Sequence, residues 1–172
     1  MTLEIKTASE LIDPELQARW ATRHAARQSQ VLQHILRAFV ERAGPVAVEE
    51  IVGAFPDRAP AVTREALAGL DEEDLIQVRE GRVDMAYPFS ALPTSFIVEL
   101  AGGGGRYACC AIDALGIAPM LGQRVHVRSS CHHCGEPLAL WATPAGPGPG
   151  AEGVMVWVGR RGAGERRIST SL

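Results

Sequence analysis

The sequence has no run of about 18 apolar residues, so it predicts no transmembrane helix. The N-terminal stretch carries acidic residues early and lacks the apolar core of a secretory signal peptide, which predicts a cytoplasmic protein. The net charge of -3 gives no general attraction to nucleic acid or to an anionic membrane. We therefore expect no membrane partner, and nucleic acid is not a favoured one.

Two common catalytic signatures are also missing. The glycine run at residues 102–105 lacks the Lys-Ser/Thr pair of a nucleotide-binding loop, and no Ser-His-Asp arrangement stands out. The chemically distinctive residues are the four cysteines. Because cytoplasmic thiols stay reduced, we expect these cysteines to be metal ligands or reactive groups rather than disulfides.

The 172 residues are 47% hydrophobic, which is enough to form a folded core. A helical arm is predicted over residues 1–24, and helices over residues 29–42, 46–55 and 60–70. Two short strands then flank a turn at Glu80 and Gly81. This order is typical of a winged helix.

The second half has a different pattern. Strands are predicted over residues 96–100, 106–108, 125–128, 138–141 and 154–158, with a helix over 112–121 and an irregular loop over 144–153. We therefore predict an α+β protein, with a winged-helix-like helical unit packed on a small, mainly antiparallel sheet. The predicted domains are residues 1–90 and 91–172.

A winged helix raises the hypothesis of DNA binding, which depends on positive charge. Residues 1–95 contain 10 Lys and Arg against 15 Asp and Glu, a net charge of -5. Four consecutive acids, residues 71–74, follow the candidate recognition helix. A packing role for this half is therefore favoured, although Arg79 and Arg82 on the wing keep the regulator hypothesis open.

The first cysteine motif combines Cys109 and Cys110 with Asp113. A helix that begins near Cys110 would place Cys110 and Asp113 on one face, at spacing i and i+3. The free N–H groups of a helix N-terminus favour a thiolate, so a thiolate and a carboxyl group could converge on one atom. The alternative is that both cysteines are small buried side chains and Asp113 a cap.

The second motif is Cys131-His132-His133-Cys134-Gly135. Cys-x-x-Cys-Gly has the form of half a zinc knuckle. A structural zinc needs four ligands, so the others would come from Cys109 and Cys110, from a histidine of the motif, or from outside. The alternative is a pair of reduced loop thiols.

The motif YACCAIDAL at residues 107–115 resembles the signature of the organomercurial (alkylmercury) lyases, in which Cys-x-x-Asp is the core. AYPFS at residues 86–90 and Pro93-Thr94 resemble the family's linker, and RSSC at 128–131 with GEP at 135–137 its following strand and turn. The similarity covers roughly residues 25–158. It implies a winged-helix-like unit on an antiparallel sheet.

The resemblance also implies protonolysis of carbon–mercury bonds, with Cys110 binding mercury as a thiolate and Asp113 handling the proton. The family uses a further cysteine in a C-terminal segment, and this sequence has none after Cys134. We expect Cys109, Cys131 or Cys134 to supply the second thiolate. The predicted catalytic residues are thus Cys110, Asp113 and Cys109, and the predicted metal ligands are Cys109, Cys110, Cys131 and Cys134.

The implied substrate is a small organometallic compound, with cellular thiols as co-reactants and a mercuric reductase as a candidate acceptor of Hg(II). No resident cofactor is expected, apart from zinc as an option. The alternatives are a non-catalytic protein that binds Zn, Hg or Cu on the same fold and, less favoured, a metal-responsive regulator that binds DNA.

Overall fold

The computed structural model describes residues 4–7, 10 and 29–157. The predicted helical arm at residues 1–24 therefore lies largely outside the described residues. Within them, no helix is long and apolar enough to cross a membrane.

Four helices are present in the continuous described segment, residues 29–157. They are α1 Gln30–Glu41, α2 Val48–Gly53, α3 Pro60–Glu72 and α4 Ala111–Leu121. Helix α1 buries Val31, Leu32, Ile35 and Phe39, which share one face at helical spacing. Helix α3 begins at Pro60, whose fixed φ suits the first helical position. The helices predicted from periodicity at 29–42, 60–70 and 112–121 are confirmed.

One antiparallel sheet runs through both halves of the described segment. Its strands are β1 Val46–Ala47, β2 Ile76–Arg79, β3 Arg82–Ala86, β4 Phe89–Ser90, β5 Ile97–Glu99, β6 Gly105–Ala108, β7 Val125–Ser130, β8 Pro137–Thr143 and β9 Gly146–Pro147. The order across the sheet is β1-β3-β4-β6-β5-β7-β8-β9, with β2 also paired to β3. The α+β class with a mainly antiparallel sheet is confirmed. The predicted division at residue 90 falls between β4 and β5 of this sheet and stays a prediction.

The predicted hairpin is confirmed: β2 and β3 are joined at Glu80 and Gly81, both with positive φ. Two other predictions are wrong. Val46 and Ala47 form β1 rather than the start of a helix, because Val46 pairs with Val83 of β3. Residues 154–157 belong to no strand, and their large apolar side chains are exposed rather than packed.

The acidic run at residues 71–74 is only partly a charged surface. Asp74 is just 4% exposed, and the Asp71 carboxylate accepts a hydrogen bond from the backbone N–H of Val78 at 3.1 Å. The backbone N–H of Leu75 donates to the carbonyl of Leu70 and helps end α3. Asp71 therefore fastens α3 to β2 and Asp74 is buried, neither of which the sequence pattern predicted.

Arg106 of β6 joins the sheet to α1. Its Nε donates to the carbonyl of Phe39 at 2.8 Å and its Nη2 to the carbonyl of Val40 at 2.6 Å. These carbonyls lie in the last turn of α1, where the helix dipole favours a cation. Below them the rings of Phe39 and Phe89 stack with centroids 6.3 Å apart. One side chain thus ties the helical half to the centre of the sheet.

We predict that Arg106→Ala lowers the free energy of unfolding by about 2–3 kcal/mol, because partly buried carbonyls lose charge-assisted hydrogen bonds. Urea denaturation followed by circular dichroism measures the change. Arg37→Ala is the matched control, since Arg37 is exposed on the same helix and its loss should change stability by less than about 0.5 kcal/mol. Equal effects of the two substitutions would contradict this role.

Candidate active site

The end of strand β6 separates the two adjacent cysteines. Ala108 N–H donates to the carbonyl of Phe96 and Cys109 N–H to that of Pro88, so the chain is held on both sides. Successive side chains of an extended chain point in opposite directions. Cys109 is accordingly only 5% exposed, and its thiol donates to the carbonyl of Phe89 at 3.2 Å. Cys110 lies on the other side, partly exposed, as the N-cap of α4.

Cys110 and Asp113 form a hydrogen-bonded pair. The Cys110 thiol donates to Asp113 Oδ2 at 2.9 Å, while the backbone N–H of Asp113 donates to Cys110 Sγ at 3.4 Å. The predicted i, i+3 arrangement at a helix N-terminus is therefore observed. A thiol and a carboxylate share one proton at the first turn of α4.

The expected thiolate is not what this environment favours. Burial, and then the charge of Asp113 and its hydrogen bond, raise the pKa of Cys110 to about 12. The backbone N–H groups of Ile112 and Asp113 lower this pKa, but they oppose the larger effects only in part. With its pKa raised in this way, Cys110 is a thiol at neutral pH, and this thiol is hydrogen-bonded to the carboxyl group of Asp113.

Cys109 has the environment of a core side chain. Burial, followed by the charges of Asp113, Cys110 and Asp74, raises the pKa of its thiol far above the ordinary value. Asp74 comes from the helical half, and sequence reasoning missed that it lies near the cysteine pair. To act as the second mercury thiolate, Cys109 would have to leave its hydrogen bond with Phe89. That role stays a prediction.

The second cysteine motif forms a tight turn after β7. Gly135 N–H donates to the carbonyl of Cys131 at 2.8 Å, and Cys131 N–H donates to the carbonyl of Glu136 at 2.8 Å. Gly135 has a φ of 75°, which glycine adopts without strain. Backbone N–H groups of Cys134 and His133, and then the Cys134 thiol, lower the pKa of Cys131. The turn at residues 131–135 therefore favours the thiolate form of Cys131, whereas the Cys110 site favours the protonated thiol.

The two cysteine motifs emerge at the same end of the sheet. Ile97 of β5 lies opposite Tyr107 of β6 on one side and Arg128 of β7 on the other. Strands β6 and β7 therefore run parallel to each other with β5 between them, roughly 10 Å apart at the spacing of neighbouring strands. Cys110 lies three residues after Tyr107, and Cys131 lies three residues after Arg128.

The four predicted metal ligands consequently fall into two groups. Among residues 29–157 and the few described before them, no three His, Cys, Asp or Glu side chains are placed to hold one metal ion. The turn at 131–135 offers two thiols, half of the four ligands that a structural zinc takes. These residues alone do not fit a complete zinc site.

A shallow groove of about 370 Å³ lies at this end of the sheet. Sequence reasoning did not identify its small polar residues, because isolated Ser and Thr carry no motif. Thr94 also donates its hydroxyl to the carbonyl of Ala108 at 2.7 Å, which fixes the strand before the cysteines. The lining consists of Thr94, Ser95, Ile97, Arg128, Ser129, Ser130, Pro137, Leu138 and Ala139.

Comparison with known proteins covers this same region. Residues 89–170 match the family model described as alkylmercury lyase. The chain is 36% identical over 101 residues to an alkylmercury lyase of Streptomyces lividans and 32% identical over 100 residues to one of Staphylococcus epidermidis. Each match covers 58% of this chain but only 44% of the relative, so the chain spans less than half of their length.

A solved structure supports the fold. The crystal structure of the mercury-bound form of MerB2 superposes with a TM-score of 0.60, covering 79% of this chain and 66% of that one at 21% identity. Residues 89–170 are thus similar to the alkylmercury lyases, and the resemblance seen in the sequence is confirmed over this part of the chain.

We predict that Asp113→Asn lowers the pKa of Cys110, because the substitution removes a negative charge and an acceptor of the thiol proton. The rate of alkylation by iodoacetamide at neutral pH should rise by about tenfold or more, the equivalent of one pKa unit or more. The pH profile is measured in a Cys131→Ser/Cys134→Ser background, in which Cys110 is the accessible thiol. Asp57→Asn, at an exposed loop position, is the matched control. An unchanged profile would contradict the assigned electrostatics.

Proposed function

We propose that the chain cleaves carbon–mercury bonds by protonolysis, using Cys110 and Asp113. The observation that carries the proposal is the 2.9 Å hydrogen bond from the Cys110 thiol to Asp113 Oδ2. It lies within the part of the chain that matches the alkylmercury lyase family. The match to the family supports this class of reaction, and the geometry supports the roles of the two residues.

The first step is capture of the organomercurial by Cys110. Mercury is a soft metal and prefers sulfur ligands, so the Cys110 sulfur displaces a ligand on the mercury. The thiol proton moves to Asp113, which already accepts its hydrogen bond. A thiol with a raised pKa can therefore still bind mercury as a thiolate, because it loses its proton to Asp113 only when mercury binds.

The second step returns that proton to carbon. The carbon–mercury bond breaks, both of its electrons stay with carbon, and the carbon takes the proton from Asp113. The products are a hydrocarbon and Hg(II) on sulfur, with no change in the oxidation state of mercury. Ile112 is 58% exposed beside Asp113, so its side chain can contact the organic group.

A second thiolate is needed to donate electron density to the metal and hold the product. Cys131 and Cys134 are accessible and Cys109 is buried. A small cellular thiol could enter from solvent at the partly exposed Cys110. The proposal therefore includes cellular thiols as co-reactants, a mercuric reductase as the acceptor of Hg(II), and a cytoplasmic location.

The alternative function is metal binding without turnover. It is favoured by one specific observation: the turn at residues 131–135 keeps two thiols close together, with backbone N–H groups directed at Cys131. A protein of this kind would hold Hg(II), Zn(II) or Cu(I) and release no hydrocarbon. The DNA-binding hypothesis finds no such support in this structure.

We predict that the protein releases benzene from phenylmercury over multiple turnovers when excess monothiol is present. Cys110→Ser should abolish release, because a hydroxyl is a poor ligand for mercury. Asp113→Asn should lower the rate by about 100- to 10,000-fold, the usual contribution of a positioned general acid. Gas chromatography of the released benzene measures the rate.

Asp57→Asn is the matched carboxylate control and should retain the wild-type rate. Circular dichroism of each variant shows whether its fold persists. A folded, fully active Cys110→Ser variant would overturn the mechanism. Retention of mercury without any benzene from the wild type would favour the metal-binding alternative.

A further inference from the structure

We propose that Cys131 and Cys134 form a second mercury site, which receives Hg(II) from Cys110 after the carbon–mercury bond is cleaved. The source of Hg(II) rests on the proposed lyase function. The capacity of the turn to bind Hg(II) does not, and it can be tested separately.

The turn is formed before any metal arrives. Gly135 N–H and Cys131 N–H each make a 2.8 Å backbone hydrogen bond that closes residues 131–136 into a compact loop. The loop holds Cys131 and Cys134 at the Cys-x-x-Cys spacing at which two thiols of one turn can bind one metal ion. Cys134 is exposed and Cys131 partly exposed, so a metal complex can approach from solvent. Little conformational entropy remains to be lost on binding.

The ligand count favours mercury over zinc. Hg(II) is a soft cation that forms stable, linear complexes with two thiolates, whereas structural zinc takes four ligands. The described part of the chain offers no group of three His, Cys, Asp or Glu side chains around this turn. Two sulfur ligands therefore complete the coordination that Hg(II) prefers, but they supply only two of the four ligands of a structural zinc.

The Cys110 site and the turn follow strands that are not neighbours, and among the described residues no three of their His, Cys, Asp or Glu side chains are placed to hold one ion. Two sulfurs that bridge a metal lie roughly 5 Å apart, twice a metal–sulfur bond of about 2.3 Å. The strands leading to Cys110 and Cys131 are separated by β5, which places them about 10 Å apart. Transfer between two sites, rather than one shared dithiolate, fits this separation.

The groove lies at the sheet end where both sites emerge. Thr94 and Ser95 precede β5, between the ends of β6 and β7, and Ser129 and Ser130 lead directly into Cys131. The transfer is an exchange of ligands on Hg(II). The Hg–S bonds to Cys110 and to a small thiol break, and Hg–S bonds to Cys131 and Cys134 form. Cys110 and the small thiol each regain a proton from the two thiols that lose one.

The binding test uses Hg(II) chloride and Cys110→Ser, which removes the first site. After addition of one equivalent of Hg(II) and dialysis against excess cysteine, we expect about one Hg per chain by native mass spectrometry. The triple variant Cys110→Ser/Cys131→Ser/Cys134→Ser should retain at least tenfold less. His132→Ala/His133→Ala in the Cys110→Ser background should still retain one Hg. Loss of mercury in that histidine variant, or its retention in the triple variant, would overturn the proposed dithiolate site.

The transfer test follows one turnover of phenylmercury in the wild-type protein. Iodoacetamide labelling and peptide mapping after benzene release should show Cys131 and Cys134 protected and Cys110 labelled at the same rate as in the metal-free protein. Labelling of Cys110 below its metal-free rate, with Cys131 and Cys134 labelled at theirs, would overturn the transfer. If no benzene forms but Cys110→Ser still retains Hg(II) chloride, the lyase function and the transfer fail while the second site stands. If benzene forms but Cys110→Ser retains no Hg(II), the second site fails alone.

Discussion

Strand β6 is the constraint on which the rest of the structure depends. Its hydrogen bonds with β4 and β5 fix the direction of the chain up to Cys109, and Arg106 on the same strand holds the C-terminal turn of α1. Because successive side chains alternate, the end of this strand sends Cys109 into the core and Cys110 to the start of α4. The helical half therefore stabilises the reactive pair without supplying it.

The electrostatics of the site follow from that placement. A helix N-terminus by itself would favour a Cys110 thiolate, yet burial and the adjacent Asp113 carboxylate outweigh it. A permanent thiolate would leave Asp113 without a proton to deliver. In the proposed reaction, a protonated thiol next to an acceptor instead stores the proton that is needed at carbon. The turn at residues 131–135 has the opposite balance, because backbone N–H groups of Cys134 and His133 lower the pKa of Cys131.

Local patterns predicted much of this protein. Helical spacing gave α1, Pro60 gave the start of α3, and the Cys-x-x-Asp motif placed Cys110 and Asp113 on one face. What the sequence could not show depends on contacts between distant residues. Strand β1 exists because Val46 meets Val83, and Asp74 is buried because α3 ends against β2. The separation of Cys110 from Cys131 likewise depends on β5 lying between their strands.

In the proposed mechanism, the thiol proton of Cys110 moves to Asp113 when mercury binds. Infrared difference spectroscopy can detect this transfer directly, on rapid mixing of the protein with a slowly cleaved alkylmercury compound. We predict that a carbonyl band of a protonated carboxylic acid appears with mercury binding, and that it is absent in Asp113→Asn and in Cys110→Ser. Mercury binding to Cys110 without this band, followed by normal release of hydrocarbon, would contradict the account.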